Sequence, residues 1–271
     1  MAIDLTPLWN FGNPAQSEQR FRAAIEGASL EDALILQTQI ARTFGMRREF
    51  AEAQEVLAAI QDEALAASPE AQVHYLLELG RTFASATHPP ETQTPEALNA
   101  ARSLFLQAFD AARTSELDAL AIDALHMMAF VDKEPEAQLA WDRKALAYLE
   151  TSTQPDAKAW EGSLRNNVGY ALRLLGRYEE AIEEFIFSLM AHERAGKPRN
   201  VRIAHWMIAR TYRDQERFQE ALEVQLRLER EWEETGEPDL YVFEELALLY
   251  RAIGDTERAE LYEVKYRASS G

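Results

Sequence analysis

Small and apolar residues recur at helical spacing along this chain, and the whole pattern returns about every 40 residues. In its clearest copy, Val168 and Gly169 are followed by Leu172, and Ala181 and Phe185 then follow a short polar turn. Six alanines share the phase of Ala181 at separations of 38 to 48 residues: Ala53, Ala101, Ala140, Ala181, Ala221 and Ala259. This period predicts a solenoid of helix pairs, in which each pair buries its apolar side against its neighbours.

The first helix of each pair carries a small residue where the second helix must approach closely. The set is Ala41, Gly80, Ala129, Gly169, Ala209 and Ala247. A glycine inside a helix costs about 0.8–1 kcal/mol relative to alanine, so a glycine here indicates a contact without room for a side chain. We therefore expect these residues and the six alanines to be packing residues.

Two second helices are predicted to end at the same phase. Gly196 and Gly236 lie 40 residues apart, and each is followed two residues later by a proline, Pro198 or Pro238. Glycine takes the left-handed conformation that ends many helices, and proline cannot continue one. These residues mark repeat boundaries.

Repeats two and three depart from the period. Ala101 lies about nine residues beyond the position that the period predicts. It follows a Pro- and Thr-rich stretch at 86–95 that we expect to be an exposed loop. In repeat three, Asp132 falls where an aromatic residue is usual. Two registers, one residue apart, are therefore possible for that repeat.

We expect an N-terminal arm and capping helix in residues 1–30 and a repeat domain in residues 31–271. The capping helix is predicted over 14–26, with Phe21 and Ile25 facing inward. Trp9 and Phe11 either cover the apolar end of the first pair or form a partner-binding arm. The six predicted units are approximately 31–69, 70–115, 116–154, 155–198, 199–238 and 239–271.

The repeats resemble those of the tetratricopeptide repeat family over nearly the whole chain, through the large-small pair, the aromatic or leucine, and the alanine and phenylalanine described above. The resemblance implies an all-α fold, an α-α superhelix of six helix pairs plus an N-terminal capping helix. Units of about 40 residues are similar to those of peptide-binding adaptors and peptide-sensing regulators. In that subclass an asparagine on the groove face often holds peptide backbone, a place that Asn166 or Asn167 occupies here.

Composition excludes several kinds of site. The chain has no cysteine, and its five histidines do not form a zinc-protease motif. It also has no phosphate-binding glycine loop and no nucleophile elbow. We therefore expect no catalytic residue, no cofactor and no metal. Paired glutamates are abundant, but they are predicted to lie on solvated helix faces.

A net charge of −18 disfavours nucleic acid and membrane surfaces as partners. The amino terminus has no signal-peptide pattern, and no apolar run approaches the ~18 residues of a membrane helix. We expect a cytoplasmic protein.

The first helices of the solenoid should line its concave groove, where the helical register leaves one stripe open. In repeat five this stripe is Ile203, Trp206, Arg210 and Arg213. Carried across the repeats, the register predicts a partner-binding groove of Arg42, Arg81, His126, Phe130, Asn166, Asn167, Tyr170, Arg173, Trp206, Arg210, Arg213 and Arg251. Arginine and tryptophan are enriched among binding hot spots, and arginine suits carboxylates.

These residues favour a non-catalytic scaffold or adaptor that binds another protein or a peptide, with an acidic segment in the groove. The alternative is a regulatory protein whose groove senses a peptide or a small anionic molecule. A third interpretation gives the arginines no ligand, because they would pair with glutamates of neighbouring repeats.

Overall fold

The computed structural model describes residues 3–237 and 239–269, and within these ranges every regular element is a helix. The chain divides into two compact units, one ending at Trp160 and the other beginning at Glu161. The all-α helical repeat architecture that the sequence predicts is confirmed.

The first unit contains the capping helix and three helix pairs, and two short additional helices. Its helices are α1 (Pro14–Ile25), α2 (Leu30–Met46), α3 (Phe50–Ala58), α4 (Gln61–Ala66), α5 (Pro69–Arg81), α6 (Pro95–Thr114), α7 (Asp118–Met127), α8 (Pro135–Thr151) and α9 (Pro155–Lys158). The capping helix α1 packs on α2, and Phe21 is fully buried there. Six pairs and a cap make thirteen helices, so the fifteen α-helices of the described residues include two that the repeat pattern did not predict, α4 and α9.

The second unit consists of three helix pairs. They are α10 (Glu161–Leu174) with α11 (Tyr178–Arg194), α12 (Pro198–Asp214) with α13 (Phe218–Glu234), and α14 (Leu240–Ala252) with α15 (Thr256–Ser269). Each helix also packs on the next one along the chain, so α11 contacts α12 and α13 contacts α14. The first helices α10, α12 and α14 are therefore held at successive equivalent positions.

Helix boundaries follow local chemistry. The side chains of Ser29, Ser68 and Thr94 accept hydrogen bonds from backbone N–H groups in the first turns of α2, α5 and α6. Gly196 and Gly236 have φ angles of 62° and 73°, the left-handed conformation predicted for these helix ends. Pro198 begins α12, because its fixed φ suits a first helical turn. Pro238 lies outside the described residues.

Five of the six repeating alanines are buried at helix contacts, as predicted: Ala53, Ala101, Ala181, Ala221 and Ala259. The prediction for Ala140 is wrong, because this residue is exposed and Leu139 faces the core instead. Asp132 accounts for the shift, since it accepts hydrogen bonds from Arg102 and from Trp141 Nε1. These bonds fix the turn before α8 and set the helix one residue out of the expected register.

The stretch at 86–95 is less exposed than the sequence suggests. His88 is buried, and its ring stacks on Phe50 with the ring centroids 3.8 Å apart. Its Nδ1 lies 2.8 Å from Ser85 Oγ, and its Nε2 lies 3.0 Å from the carbonyl oxygen of Thr82. The expectation of a fully exposed loop is therefore wrong for His88, while residues such as Glu91 and Thr92 beyond it are exposed.

The two repeat glycines lie against phenylalanine rings. A Cβ atom at Gly80 would lie 2.4 Å from Phe105 Cε1, and one at Gly169 would lie 2.6 Å from Phe185 Cε1. Both rings are fully buried, so neither can move aside easily. Gly45 is a natural comparison, since it also lies in a helix but has no atom within 4 Å of such a Cβ.

We expect Gly169→Ala to lower the free energy of unfolding by about 1–3 kcal/mol, because the new methyl group overpacks the contact with Phe185. Gly45→Ala should instead raise it by up to about 1 kcal/mol through helix propensity. Urea denaturation of both variants measures the difference. Equal effects of the two substitutions would contradict the packing role of Gly169.

Candidate functional site

A buried cluster of charges joins α5 and α7 in the first unit. Arg81 Nη2 donates to both carboxylate oxygens of Asp123, at 2.5 and 2.6 Å, and Arg81 Nη1 donates to Glu78 Oε1 at 2.5 Å. Arg42 from α2 approaches the same Glu78 oxygen, with Nη1 at 3.6 Å. The cluster therefore links the first helices of three consecutive repeats.

Burial and charge act in opposite directions on the two carboxyl groups. Burial raises the pKa of Glu78 above its ordinary value, and the opposing charges of Arg81 and Arg42 do not fully offset this effect. Burial also opposes ionisation of Asp123, but Arg81 and Arg42 outweigh it and lower its pKa. Asp123 is thus the firmly ionised partner of Arg81. Glu78 Oε2 is buried and has no hydrogen-bond partner among the described residues.

His74 lies beside this cluster and is also buried. Gln39 Nε2 donates to its Nδ1 at 3.3 Å, and Thr38 Oγ1 accepts from the same amide at 3.2 Å. Burial is the main cause that lowers the pKa of His74 to about 4. The ring is therefore neutral at physiological pH.

A cavity of about 290 Å³ opens next to the charge cluster, entirely within the first unit. Its walls include four residues of the predicted groove: Arg42, Arg81, His126 and Phe130. His126 lies edge-on to Phe130 at 5.3 Å between ring centroids, and 5.6 Å from the ring of Trp160.

The N-terminal segment contributes to this cavity. Phe11 forms part of the wall, and Trp9 stacks on Phe11 with the ring centroids 4.6 Å apart. Trp9 also contacts the buried Phe21 edge-on at 5.0 Å, which ties the segment to α1. Trp9 thus covers apolar surface, one of the two roles considered from the sequence, while Phe11 stays largely exposed.

In the second unit a matching charge cluster links α12 and α14. Arg213 donates to both carboxylate oxygens of Glu245, from Nε at 2.6 Å and from Nη2 at 3.0 Å. Arg210 Nε lies 3.6 Å from the same carboxylate, too far for a hydrogen bond, and this atom has no hydrogen-bond partner among the described residues. The hydrogen bonds that Arg213 donates to Glu245 are the first cause that raises the pKa of Arg213 above its ordinary value.

The remaining predicted arginines of this unit are also paired. Arg173 Nη2 lies 2.7 Å from Asp214 Oδ2, and Arg251 forms an ion pair with Glu263. Pairing with a carboxylate of a neighbouring repeat, the third interpretation offered by the sequence, is therefore present at Arg173, whereas Arg251 pairs within its own repeat. Of the four groove arginines of the second unit, Arg210 is the one with no hydrogen-bonded carboxylate in the described ranges.

Aromatic and apolar side chains on the first helices of the second unit stay exposed. Tyr170 is 40% exposed and Tyr241 is 57% exposed, while Leu248 is 38% exposed. Trp206 is half-buried and donates from Nε1 to the carbonyl oxygen of Tyr241 at 3.2 Å. The guanidinium carbon of Arg210 lies 5.1 Å from the centroid of the Trp206 ring, a cation–π contact.

The two asparagines differ in their surroundings. Asn166 is half-buried, and its Oδ1 is buried without a hydrogen-bond partner among the described residues. Asn167 is half-buried too, but it does interact with a neighbouring group. Asn166 is therefore the asparagine with an unused acceptor.

The sequence interpretation overlooked the acidic partners Glu78, Asp123, Asp214 and Glu245. Two of them follow a repeat rule: Glu78 and Glu245 each stand two positions before the small residue of their helix. One repeat earlier, Arg42 and Arg210 each stand one position after the small residue. This coincidence of positions was the available signal for a pair between repeats.

Two kinds of feature are absent from residues 3–237 and 239–269. No three His, Asp or Glu side chains there are grouped so that they could hold a metal ion. No helix in these ranges is both long and apolar enough to cross a membrane.

Residues 160–230 match the family model of the tetratricopeptide repeat. No curated protein sequence matches the chain significantly. Solved structures with a similar fold have little sequence identity to it. The apo form of RapI superposes with a TM-score of 0.67 at 13% identity, covering 98% of this chain and 74% of the other.

Two further structures extend this likeness. A Rap protein complexed with competence and sporulation factor has a TM-score of 0.58 at 12% identity, covering 94% of this chain and 79% of its own. A putative kinesin light chain of Podospora anserina with nearly identical repeats has a TM-score of 0.55 at 16% identity, covering 77% and 99%. Residues 160–230 thus carry tetratricopeptide repeats, and the helix pairs of both units have the helical-repeat fold of these structures.

Proposed function

We propose that this chain is a non-catalytic protein-interaction protein that binds an extended segment of a partner on its second unit. The binding surface is the α10–α12–α14 face, defined by Asn166, Tyr170, Trp206, Arg210, Tyr241 and Leu248. Helical repeat folds present such faces as binding surfaces, and they bind far more often than they catalyse. The exposed aromatic side chains of this face are the observation that carries the proposal.

Side chains at one equivalent position of three successive repeats form a row on this face, with an apolar or aromatic residue at each end. Tyr170 and Leu248 each follow the small residue of their helix directly, and Arg210 holds that position between them. Trp206 and Tyr241 lie close together, with their ring centroids 6.2 Å apart. Clustered exposed apolar groups mark interaction sites, and tryptophan, tyrosine and arginine are the residues most enriched at their centres.

Two polar groups suit the backbone and an acidic side chain of a bound segment. Asn166 is half-buried, and its Oδ1 is buried without a hydrogen-bond partner among the described residues, so a rotation of this side chain on binding would let Oδ1 accept a backbone N–H of the partner. The side chain of Arg210 is 33% exposed and has no hydrogen-bonded carboxylate among the described residues, while the cation–π contact with Trp206 holds its guanidinium in place. A partner carboxylate at Arg210 would form a charge-assisted hydrogen bond worth about 1.5–3 kcal/mol.

The other predicted groove arginines of the second unit stabilise the packing of its helices and do not bind the partner directly in this proposal. Arg173, Arg213 and Arg251 hold neighbouring helices through Asp214, Glu245 and Glu263. An acidic partner is therefore recognised mainly at Arg210, and apolar contacts supply most of the affinity. The Rap protein of similar fold, whose structure was determined in complex with competence and sporulation factor, supports uptake of a partner by this fold.

We expect Trp206→Ala and Arg210→Ala each to weaken partner binding, Trp206→Ala by at least about thirtyfold, because a central hot spot is worth about 2 kcal/mol or more. Affinity capture with the wild-type chain identifies the partner, and calorimetry with the purified partner then measures both variants. Arg210→Ala should also make binding less sensitive to salt, because it removes a charge that salt screens.

Arg194→Ala is the matched control, since Arg194 on the second helix α11 is exposed and pairs with Glu161 at 2.8 Å. Arg213→Ala is unsuitable, because it would strip a buried carboxylate of its main partner and change stability. Melting temperatures of all variants separate binding from folding. A partner that binds Trp206→Ala and Arg210→Ala as tightly as it binds Arg194→Ala would rule out the α10–α12–α14 face.

A second function, the sensing of a small anionic molecule, is favoured by one observation. Arg42 and Arg81 lie at the wall of a cavity in the first unit. This cavity is separate from the α10–α12–α14 face and has its own chemistry.

A further inference from the structure

Arg42 is an arginine at the cavity of the first unit whose guanidinium donates no hydrogen bond to a described carboxylate. Its side chain is 29% exposed, and its closest carboxylate oxygen, Glu78 Oε1, lies 3.6 Å away. No described residue accepts a hydrogen bond from it. Its guanidinium carbon lies 5.4 Å from the Trp9 ring centroid and 5.8 Å from that of Phe11, so two aromatic rings hold it at the cavity wall.

Arg81 is less available to a ligand. Its three hydrogen bonds tie the guanidinium to Asp123 and to Glu78 Oε1 and leave fewer of its five N–H donors for a ligand. Glu78 Oε1 already accepts a hydrogen bond from Arg81 at 2.5 Å, so Arg42 shares this counter-ion with a second arginine. Arg42 therefore carries a positive charge that the protein compensates only in part.

The rest of the wall is mainly apolar and aromatic. Phe11, Met46, Met127, Phe130 and Trp160 line the cavity beside Arg42. Its volume of about 290 Å³ is at the lower end of the range for small-molecule sites. The cavity thus combines Arg42 with a largely apolar wall, and Arg81, Asp123 and Glu78 form the charged side of this wall.

We propose that the cavity of the first unit binds a small monocarboxylate with an apolar or aromatic body. The carboxylate accepts hydrogen bonds from the guanidinium of Arg42, whose planar fork suits two oxygens at once. The body lies against Phe130 and Trp160, and Phe11 covers it from the N-terminal segment.

The charged side chains around the cavity favour a ligand with a single negative charge. A cation would meet Arg42 and Arg81, and a phosphate dianion would approach the carboxylates of Asp123 and Glu78, which line the same cavity. A monocarboxylate offsets the charge of Arg42 without adding a second negative charge near those groups. An uncharged molecule of the same shape keeps the apolar contacts and loses the charge-assisted bonds.

Phenylacetate, benzoate and hexanoate are suitable probes for the full chain, with phenylacetamide and phenyl phosphate as the neutral and dianionic comparisons. Isothermal titration calorimetry should show binding of at least one carboxylate, and weaker binding of both comparisons. Arg42→Met should raise the dissociation constant about ten- to a hundredfold, because a hydrogen bond between charged groups is lost. Phe11→Ala should raise it less, since Phe11 forms only the outer cover.

Arg113→Met is the matched control, because Arg113 is an exposed arginine of the same unit, 3.8 Å from Asp110. It should bind the probe as the wild type does. Arg42→Lys keeps the charge but not the fork, so its affinity should lie between those of the wild type and Arg42→Met. This variant also tests the proposal if Arg42→Met does not fold, a point that circular dichroism decides.

The carboxylate could belong to a free molecule or to the C-terminus of another chain. Acetyl-Gly-Gly-Phe carries the same group on a longer body, so a comparison with phenylacetate distinguishes the two sources. Stronger binding of phenylacetate assigns the cavity to a free molecule, whereas stronger binding of the peptide overturns that part of the proposal.

Three results would overturn the proposal as a whole. These are no binding of any carboxylate at millimolar concentration, equal binding of phenylacetamide, and unchanged affinity of a folded Arg42→Met variant. None of these bears on the α10–α12–α14 face, whose test uses different residues and a protein partner.

Discussion

Asp123→Ala is expected to lower the free energy of unfolding by about 3 kcal/mol. Asp123 is buried and accepts two short hydrogen bonds from Arg81, whose side chain is almost as inaccessible. Removing one partner of a buried ion pair typically costs about 3–5 kcal/mol, because the other charge stays buried without compensation. Glu78 remains bonded to Arg81, which places the expected loss at the low end. Urea denaturation measures it.

A double-mutant cycle tests whether this loss arises from the ion pair. Asp123→Ala combined with Arg81→Met should cost less than the sum of the two single losses, because the interaction between the two groups is lost only once. Arg81→Met alone also removes the hydrogen bond to the buried Glu78, so part of its loss persists in the double variant. Asp110→Ala is the matched control, since Asp110 is 71% exposed and lies 3.8 Å from Arg113. An exposed pair contributes little, so its loss should change stability by less than about 1 kcal/mol. Similar losses for Asp123→Ala and Asp110→Ala would contradict a special role for the buried pair.

The chain is expected to lose stability in acid through His74. The folded protein holds the pKa of His74 at about 4, whereas an unfolded chain has the ordinary value of 6.5. Between these values the unfolded state binds a proton that the folded state excludes, so the free energy of unfolding falls as the pH is lowered. The full stabilisation is present above pH 6.5, and about 3 kcal/mol is lost by pH 4.

His74→Gln isolates this contribution, because glutamine is polar and does not titrate. The difference in stability between the wild type and this variant should be constant above pH 6.5 and should shift steadily below it. Subtracting the two curves removes the effects of the other histidines and of the carboxyl groups. A difference that does not change with pH would show that His74 has an ordinary pKa in the folded protein.

The repeat period predicted the helix pairs because each pair needs small residues at the contact between its two helices. Five of the six alanines and both repeat glycines lie at helix contacts, where only a small residue fits. The same rule failed at Ala140, because the hydrogen bonds of Asp132 fix the preceding turn and no periodic pattern reports such bonds. Helices α4 and α9 also lie outside the repeat and carried no periodic signal.

The candidate sites were predictable in their residues but not in their charge balance. The helical register placed Arg42 and Phe130 at one cavity and Trp206 and Arg210 on one face. It did not reveal that most of the arginines are neutralised, since Asp123 and Asp214 occupy unrelated repeat positions. Contacts between residues at unrelated positions depend on the tertiary structure, which a repeat pattern does not describe.

The paired arginine and glutamate of consecutive repeats also limit how this array can be rearranged. Glu78 and Glu245 are each built to meet an arginine from the repeat before them. Repeats three and four carry Phe130 and Tyr170 where those arginines would stand. Moving repeat two or six behind either of them would leave a buried carboxylate with one cation fewer. Recombination within the chain is therefore restricted to orders that keep each glutamate behind its arginine.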